Sequence, residues 1–439
     1  MKSHPKLNCV KPLSLLFFCL ILGQLQSQEV EIINESKLDL GLDELILLEN
    51  QLSVNPNDDK HLLLSGMYLD PNETDMTSCF GMISADQGKT WSKIINTSSK
   101  YAGDPWGVIT NRGTAIFTAL SSLANDELTL EIHRLQKGDS NWSDNPLILK
   151  GNFDHQTAVV DRNDNTIYIV AILGDRIYVN YSEDDGLSFN QPQSIQFNNL
   201  GANTMVPVVQ EDGSLVVSFT NFNRPVINGS RKGRSREFLA KTLSWITIFK
   251  KEKGFSNPML ISADCEKGFP VLAIDDSKES TSQNMYYVCS SQSDNTIYNF
   301  YSNTNGKSWS LPIAVSKFND LKEVKRHPFV GIPQVAVNNA GVLGVLWQSR
   351  LDDPENKCNT LYFSASLDGG QSFLTPTKVS SKASCMENPQ NMWAGSRYKS
   401  GGDYMSFIGL DNGDFMTIWA DSRHGRATYY TARIRVKKL

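Results

Sequence analysis

The chain has 439 residues, of which 40% are hydrophobic and 20% charged, with 30 glycines and 17 prolines. This composition is typical of a globular protein and excludes disordered, collagen-like and disulfide-dense chains. The 42 basic and 47 acidic residues give a formal net charge of −5, so charge gives no support to nucleic acid as a partner.

Residues 1–28 carry the pattern of a secretory signal peptide. Three lysines precede an apolar run at 13–22, and Ser27 supplies a small residue for cleavage. The run is too short for a membrane span, and nothing later in the chain replaces it. We therefore expect a secreted or periplasmic protein with no membrane span. A lipid anchor at Cys19 is the less favoured alternative, because no small-residue context precedes that cysteine.

A unit of two β-rich runs joined by a turn recurs seven times along the rest of the chain. The second runs begin at Leu62, Ala115, Ile167, Leu215, Met285, Leu343 and Phe415. A third β-rich run usually follows, such as RIYVNYS from Arg176, and helical periodicity is essentially absent. The sequence therefore predicts an all-β protein in which residues 29–439 form a single domain.

Four of the third runs lead into one pattern, Ser-x-Asp-x-Gly-x-Ser/Thr-aromatic. The copies are SADQGKTW from Ser84, SEDDGLSF from Ser182, SNTNGKSW from Ser302 and SLDGGQSF from Ser366. In such a hairpin the Asp accepts backbone N–H groups, Gly supplies a positive φ, and the aromatic ring is buried between sheets. The aspartates are thus predicted to build turns, and Thr304 is a weaker substitute in the third copy.

These four motifs resemble the Asp-box (BNR) repeats of sialidase-like β-propellers, and the resemblance covers nearly the whole chain after residue 28. It implies a propeller but no single activity, because binding proteins and several classes of carbohydrate enzyme share the motif. Sialidases of this type have six blades, whereas the repeats predict seven, with six as the alternative. The seventh unit lacks an outer strand, and EVEIINES from Glu29 is the candidate to supply it and close the ring.

Cysteine pairing is left open by the sequence. Five cysteines remain after residue 28, so at least one stays unpaired. Cys358 and Cys385 bracket one repeat and are the best candidates for a disulfide, with buried unpaired thiols as the alternative. No spacing of Cys and His resembles a zinc site, and we expect no metal and no cofactor.

The blade connectivity predicts which face carries function. In an up-and-down blade, the loops after second strands and the connections between blades lie opposite the motif turns, and functional groups are expected there. Asp104, His155 and His327 lie just before first strands, and Tyr404 begins the first run of the seventh unit, YMSFIGLDNG. Together they suit a glycan-cleaving pocket, although each alone is more typical of a turn or packing residue.

Two arginines end second strands in the parallel phrases VLWQSR and IWADSR. A guanidinium holds a carboxylate in bidentate fashion, so Arg350 and Arg423, with Trp419 beside them, are predicted to bind an acidic sugar. The alternative is that each arginine pairs with a nearby carboxylate, Asp352 or Asp421, and braces its own loop.

Two stretches are longer than the repeat needs. The first, NRPVINGSRKGRSRE, carries Arg224 and four further cations, and suggests an acidic ligand in a chain of net negative charge. A plain exposed basic loop is the alternative. The second stretch, NPQNMWAGSRYKSGG, contributes Trp393, Arg397 and Tyr398 as candidate binding residues. Insertions of this kind are often functional loops.

The resemblance also implies specific sialidase residues: an Arg-Ile-Pro phrase in the first strand of the first unit, an Asp acid/base in the next loop, and a Tyr nucleophile paired with Glu. The matching strand, QLSVNPNDD from Gln51, contains no Arg, so the usual three-arginine clamp is absent. By position alone, Asp70 or Asp75 matches the acid/base and Tyr404 lies in the neighbourhood of the nucleophile.

We therefore predict an exported, sialidase-like carbohydrate-active enzyme that acts on an acidic oligo- or polysaccharide. As a hydrolase it would use a carboxylate such as Asp104 or Asp70 with a nucleophile. As a lyase it would move protons with His155 or His327 and a tyrosine such as Tyr398. The alternative is a non-catalytic propeller that binds glycan or protein on a face without a paired, partly buried carboxylate. The sequence says nothing of the oligomeric state.

Overall fold

A computed structural model describes residues 29–437 with internal gaps. The gaps are 74–75, 98, 100, 123–127, 152, 198–199, 205, 228–229, 232–242, 263–264, 266–270, 278–282, 292–293, 317–328, 392–393 and 396–397. For 200–204, 221–227 and 230–231 only the backbone is described. The predicted signal peptide, residues 1–28, lies outside the described residues. Among the described residues, no helix has both the length and the apolar character that crossing a membrane requires.

The described strands form seven antiparallel sheets, the blades of a β-propeller. Strand β1 (Glu29–Lys37) comes first in the chain. Blade one is β2 (Ile46–Asn55), β3 (Asp58–Leu69), β4 (Thr77–Ser84) and β5 (Ser92–Asn96); blade two is β6 (Ala102–Ile109), β7 (Ala115–Ser122), β8 (Leu128–Leu135) and β9 (Leu147–Lys150); blade three is β10 (Asp154–Val160), β11 (Ile167–Leu173), β12 (Arg176–Ser182) and β13 (Gln193–Gln196).

Blade four is described as seven strands, whereas each of the other blades has four. It contains β14 (Leu200–Thr204), β15 (Val208–Val209), β16 (Leu215–Ile227), β17 (Ser230–Arg231), β18 (Leu243–Lys250), β19 (Gly254–Phe255) and β20 (Met259–Ser262). Blade five is β21 (Val271–Ile274), β22 (Met285–Ser291), β23 (Thr296–Ser302) and β24 (Ile313–Ala314); blade six is β25 (Val330–Val337), β26 (Leu343–Ser349), β27 (Thr360–Ser366) and β28 (Thr377–Lys378); blade seven is β29 (Ser406–Gly409), β30 (Phe415–Asp421) and β31 (Thr428–Lys437), joined by β1.

The seven-blade prediction is confirmed, and the core explains why each unit needs its neighbours. First strands of adjacent blades contact one another around the axis, and every residue of β22 and β26 is buried. Between blades six and seven, the Phe415 ring lies 5.6 Å from the Phe363 ring and 5.2 Å from the Phe407 ring. Burying each such ring stabilises the fold by about 1.5–3 kcal/mol, which a single blade cannot obtain alone.

The ring is closed by the N-terminal strand, as predicted for EVEIINES. Strand β1 pairs antiparallel with β31 in a register that runs from Glu29 opposite Lys437 to Lys37 opposite Tyr430. The sheet order of blade seven is β1-β31-β30-β29, so its outermost strand comes from the other end of the chain. This pairing covers an otherwise open edge of the sheet and ties the two ends of the domain together.

The four motif turns share one hydrogen-bond pattern. Asp86 accepts hydrogen bonds from the Thr90 N–H at 2.9 Å and the Thr90 hydroxyl at 2.7 Å. These bonds lower the pKa of Asp86 to about 2. Asp184 and Asp368 accept the same pair of bonds from Ser188 and Ser372. In the third copy the Thr304 hydroxyl accepts the Ser308 N–H at 2.9 Å, so a hydroxyl replaces the carboxylate there.

Two disulfides join loops of the described chain. Cys358 is bonded to Cys385, which confirms the predicted pairing, and Cys265 is bonded to Cys289, a pair that the sequence did not single out. Cys79 is a buried free thiol. Each disulfide connects cysteines 24 or 27 residues apart, so both restrict the unfolded chain and stabilise the fold.

Candidate active site

The propeller has two unlike faces. We call the surface with the motif turns at 84–91, 182–189, 302–309 and 366–373 the turn face. The opposite surface, where first strands such as β2, β6 and β10 begin, is the loop face. Antiparallel strand order places the loops after second strands and the connections between blades on the loop face. Asp104 and His155, two of the described residues predicted from connectivity to be functional, lie on this face.

Strands β2, β6 and β10 each carry a β-bulge near the loop face. The pairing register shifts within 47–50, 103–106 and 154–157. Asp104 and His155 have φ values of +50° and +48°, a left-handed conformation that residues other than glycine rarely adopt. Bulges redirect side chains, and strained backbone of this kind concentrates at functional sites.

Six side chains gather at these bulges, and we call them the carboxylate cluster: Glu49, Asp104, Asp154, His155, Asp403 and Tyr404. Glu49 is 2% exposed, and its Oε1 accepts a hydrogen bond from the Asp403 N–H at 2.9 Å. The Tyr404 hydroxyl is near enough to oppose part of the rise in the Glu49 pKa. It is nevertheless buried without a hydrogen bond of ordinary geometry to any described residue.

Asp104 and His155 are a partly exposed pair in the carboxylate cluster. The Asp104 Oδ2 atom accepts a hydrogen bond from the His155 N–H at 3.0 Å and lies 4.0 Å from the His155 Nδ1. The His155 Nε2 atom lies 3.9 Å from Asp154 Oδ1. The imidazole therefore lies between two carboxylates from neighbouring blades.

Burial and like charge control the acidity of the cluster. Burial raises the pKa of Glu49 well above its usual range, and the carboxylates of Asp403 and Asp104 raise it further. Burial also raises the pKa of Asp104, while His155 opposes part of that rise. The pKa of the Tyr404 hydroxyl is raised well above its usual value by burial and then by Glu49. Closely spaced carboxylates do not all ionise together, so the cluster retains a proton that ordinary carboxyl groups would lose.

Buried neighbours hold the cluster in place. The Trp106 ring packs edge-on against Tyr404 at 5.6 Å, and its Nε1 donates to the Ala158 carbonyl at 3.1 Å. The Tyr429 hydroxyl donates to the Glu49 carbonyl at 2.8 Å. Asn50, next to Glu49, accepts hydrogen bonds from the N–H and hydroxyl of Ser406 at 3.1 and 2.6 Å. Blades one, two and seven are thus joined directly beneath the cluster.

Three members of the cluster also have the geometry of a metal site. One ligand atom from each of Asp104, Asp154 and His155 lies within 4.8 Å of the others. Two carboxylate oxygens and an imidazole nitrogen suit a divalent transition metal. The expectation of no metal came from Cys and His spacing, which does not detect ligands brought together by neighbouring blades. The same three groups also suit acid–base chemistry without a cation.

A separate cavity of about 530 Å³ follows the propeller axis. It extends from Gln51 and Trp106 towards Arg162 and Asp276, which lie in the hairpins of the turn face. Much of its wall is aliphatic. None of the carboxylate cluster lines it, so the titratable groups with raised pKa at the bulges, and not this cavity, define the candidate active site.

In the structure, the Arg350 side chain binds other groups of the protein. It is 8% exposed, and its Nε donates to Asn359 Oδ1 at 2.8 Å. Its terminal nitrogens donate to the carbonyls of Asn356 and Lys399, each at 3.2 Å. These contacts match the bracing alternative, with backbone carbonyls and an asparagine in place of the expected Asp352.

The charge of Arg423 is also compensated by carboxylates of the protein. Its side chain is 4% exposed and forms ion pairs with Glu35 at 2.6 Å and Asp421 at 2.7 Å. Burial opposes its charge, but these two carboxylates raise its pKa overall. Trp419 is buried, and its Nε1 donates to Asp421 at 2.8 Å. The pairing of Arg423 with Asp421 is the bracing contact considered as an alternative from the sequence.

The remaining candidates lie outside the cluster or outside the described residues. Asp70 caps a turn after β3 by accepting the Asn72 N–H at 2.8 Å. Tyr398 is half-buried against the core of blades one and two. The structure does not describe Asp75, His327, Trp393 and Arg397, nor the side chain of Arg224.

Of the predicted catalytic residues, the structure brings together Asp104, His155 and Tyr404. Sequence reasoning missed Glu49 and Asp403. One signal for Glu49 was present, because a charged residue interrupts the apolar run of β2, ILLENQLSVN, at the strand end where Asp104 and His155 also lie. Asp403 gave no such signal, since it lies in a polar connection.

Comparison with known proteins defines the fold. No protein-family model and no curated protein sequence matches the chain. Among solved structures it is similar to a protein of unknown function from Dyadobacter fermentans DSM 18053, with 10% identity over 93% of this chain and 98% of that one and a TM-score of 0.53. It is also similar to a PL25 ulvan lyase bound to -[GlcA(1-4)Rha3S]-, with 11% identity, 88% and 93% coverage and a TM-score of 0.51.

A third similar structure is the Hadza microbial sialidase Hz136, with 12% identity over 94% of this chain and 97% of that one and a TM-score of 0.44. The two similarities with TM-scores of 0.53 and 0.51 show a shared fold, and at 10% and 11% identity they show nothing of activity. What the protein does must be argued from the carboxylate cluster itself.

Proposed function

We propose that the protein is a glycoside-cleaving enzyme and that the carboxylate cluster is its active site. The observation that carries this proposal is the burial of Glu49 beside Tyr404, in one cluster with Asp104 and His155. Burying carboxyl groups costs free energy, so their burial here calls for a functional reason. Strongly perturbed pKa values are typical of active sites. A binding face lined by aromatic and basic residues would need no such arrangement.

The roles follow from burial and from the direction of each pKa shift. In the reactive state the proton that the cluster retains lies on Asp104 and Glu49 is ionised, and the raised pKa of Glu49 makes it a strong base. Tyr404 attacks the anomeric carbon while Glu49 accepts the phenolic proton and Asp104 donates its own proton to the leaving oxygen as that bond breaks. Asp104 then takes a proton from the water that releases the sugar, and Glu49 returns its proton to Tyr404. His155 holds the Asp104 carboxylate in position through its N–H.

A polysaccharide lyase is the second candidate, supported by the shared fold with the ulvan lyase and by the presence of His155 and Tyr404 in one cluster. Elimination requires a cationic group to neutralise the uronate while a base removes the neighbouring proton. Of the six cluster side chains only His155 can carry a positive charge. The carboxylates therefore favour hydrolysis over elimination.

The proposed substrate is an acidic oligo- or polysaccharide, and the proposed location is outside the cytoplasm. The substrate proposal rests on the basic stretch at 223–237 and on Arg397, whose side chains lie outside the described residues. The location rests on the signal peptide pattern at 1–28.

The test is a screen of sialylated, uronate-containing, sulfated and neutral glycans with wild type and two variants. Asp104→Asn and Tyr404→Phe should each lower kcat by about 10²–10⁴-fold on any substrate that wild type cleaves, because each removes one proton-transfer or nucleophilic role. Asp144→Asn, at an exposed carboxylate on another loop, is the matched control and should retain wild-type activity.

Three results would change the assignment. Full activity of both variants would remove the carboxylate cluster from the reaction. Release of an unsaturated sugar that absorbs ultraviolet light would indicate the lyase. Glycan affinity with no product from any member of the panel would indicate a binding propeller.

A further inference from the structure

The segment at 398–402 carries the chain to Tyr404 and is held by buried side chains of blade six. The Gln348 Nε2 atom donates to the Ser400 carbonyl at 2.9 Å. The Lys399 carbonyl accepts two hydrogen bonds, from Arg350 at 3.2 Å and from the Asn359 Nδ2 at 3.1 Å. Two consecutive carbonyls are therefore fixed by side chains from β26 and the start of β27.

Arg350 is fully engaged in this attachment. Its Nε binds Asn359 Oδ1, its Nη1 binds the Asn356 carbonyl and its Nη2 binds the Lys399 carbonyl. The guanidinium also lies over the Phe329 ring, 5.1 Å from its centroid. A planar group with donors in three directions can hold all three oxygens at once, whereas a lysine ammonium cannot reproduce that fixed geometry.

The other end of the segment fits tightly against Glu49. Gly402 has a φ of +133°, and a Cβ at this position would overlap the Glu49 Cγ, so only glycine permits the approach. The next residue, Asp403, donates its N–H to the Glu49 carboxylate, and Tyr404 follows directly. A displacement of Lys399 would therefore move the Asp403 N–H and the Tyr404 side chain, which both lie against Glu49.

We propose that Arg350 is a positioning residue for the active site: it fixes the Lys399 carbonyl and thereby places the Asp403 N–H and Tyr404 against Glu49. Arg350 thus does not hold a substrate carboxylate. The catalytic consequence rests on the function proposed above, but the positioning itself concerns the free protein and is measured independently.

The test combines hydrogen exchange with steady-state kinetics. In Arg350→Gln, we expect the backbone amides of 398–405 to exchange about tenfold faster or more than in wild type, with other blades unchanged. The kcat should fall about 10–100-fold and KM should change less than about twofold, since misplacement by an ångström costs this much without loss of a substrate contact. Arg350→Lys should fall between wild type and Arg350→Gln.

The matched control is Arg426→Gln, which removes an exposed arginine on the same face and should leave exchange at 398–405 unchanged. Gln348→Met removes the hydrogen bonds of the Gln348 amide to the Ser400 carbonyl and to the Met405 sulfur, and it provides the test if Arg350→Gln does not fold. It should produce the same exchange and kinetic signature at smaller amplitude.

Unchanged exchange at 398–405 in the folded variant would overturn the proposal. A raised KM with unchanged kcat would also overturn it, because that pattern belongs to a residue that binds substrate. If exchange rises as expected but no glycan is turned over by wild type, the positioning role stands and the proposed enzymatic function fails.

Discussion

At the scale of single residues, the unusual feature is a carboxyl group, Glu49, placed where water barely reaches it. Its carboxylate accepts a hydrogen bond from the Asp403 N–H, and its neighbours Asp403 and Asp104 are themselves acidic. Such a group is stabilised in its protonated form, because burial and like charge both oppose ionisation. The stability of the fold should therefore depend on the protonation of Glu49.

Replacing Glu49 by Gln should change how stability depends on pH. The folded pKa of Glu49 lies above its unfolded value, so the folded chain binds more protons in the range between them. The stability that this group contributes is complete below the unfolded pKa and is lost as pH rises through the folded pKa. Glu49→Gln should gain stability relative to wild type as pH is raised above about 4.5.

Urea unfolding at a series of pH values measures this difference directly. Glu44→Gln, at a side chain that is 94% exposed, is the control, and its difference from wild type should not vary with pH. If the difference for Glu49→Gln is equally flat, the Glu49 carboxyl group does not have a raised pKa.

At the scale of secondary-structure elements, the N-terminal strand is attached by more than its backbone pairing. Arg423, just after β30, forms ion pairs with Glu35 of β1 and with Asp421, and lies over the Tyr430 ring at 4.3 Å. Because these groups are buried, each depends on the others for compensation of its charge. The arginine therefore helps to hold β1 in blade seven.

Arg423→Met should destabilise the fold by about 3–5 kcal/mol, because it leaves Asp421 and Glu35 without a buried cation. Arg426→Met removes an exposed ion pair with Glu44 and should cost less than about 1 kcal/mol. Urea unfolding of both variants provides the comparison. Equally small losses of unfolding free energy in the two variants would show that Arg423 does not brace the ring. A loss of glycan affinity in Arg423→Met with no loss of stability would support its predicted role in substrate binding.

The elements were predictable from sequence because their signals are local. Turn motifs such as SADQGKTW and the repeated pairs of β-rich runs contain the residues that form them. The sequence offered bracing as the alternative role of Arg350 and Arg423, with Asp421 as a nearby partner of Arg423. Their partners Lys399 and Glu35 were not predictable, since these residues lie far along the chain and are selected by packing. Glu49 was missed for the same reason: its burial depends on the connection that leads into blade seven.

At the scale of the whole molecule, the ring brings together residues from four separate parts of the sequence. Glu49, Asp104, His155 and Tyr404 belong to blades one, two, three and seven. Blade seven is a neighbour of blade one because β29 and β30 pack against β2 and so complete the ring. Each blade contributes the loop-face end of its innermost strand, or the residues just before it. A closed propeller thus provides a rigid support on which a few polar residues converge near the axis.

The most direct test of the central claim is to identify the residue that becomes covalently modified during turnover. Wild type would be quenched with acid while it cleaves a substrate found in the screen, digested, and mapped by mass spectrometry. We predict a glycosyl adduct on the peptide that contains Tyr404, increased in Asp104→Asn because release of the sugar is slowed. An adduct on any other residue, or full turnover by Tyr404→Phe, would contradict the account.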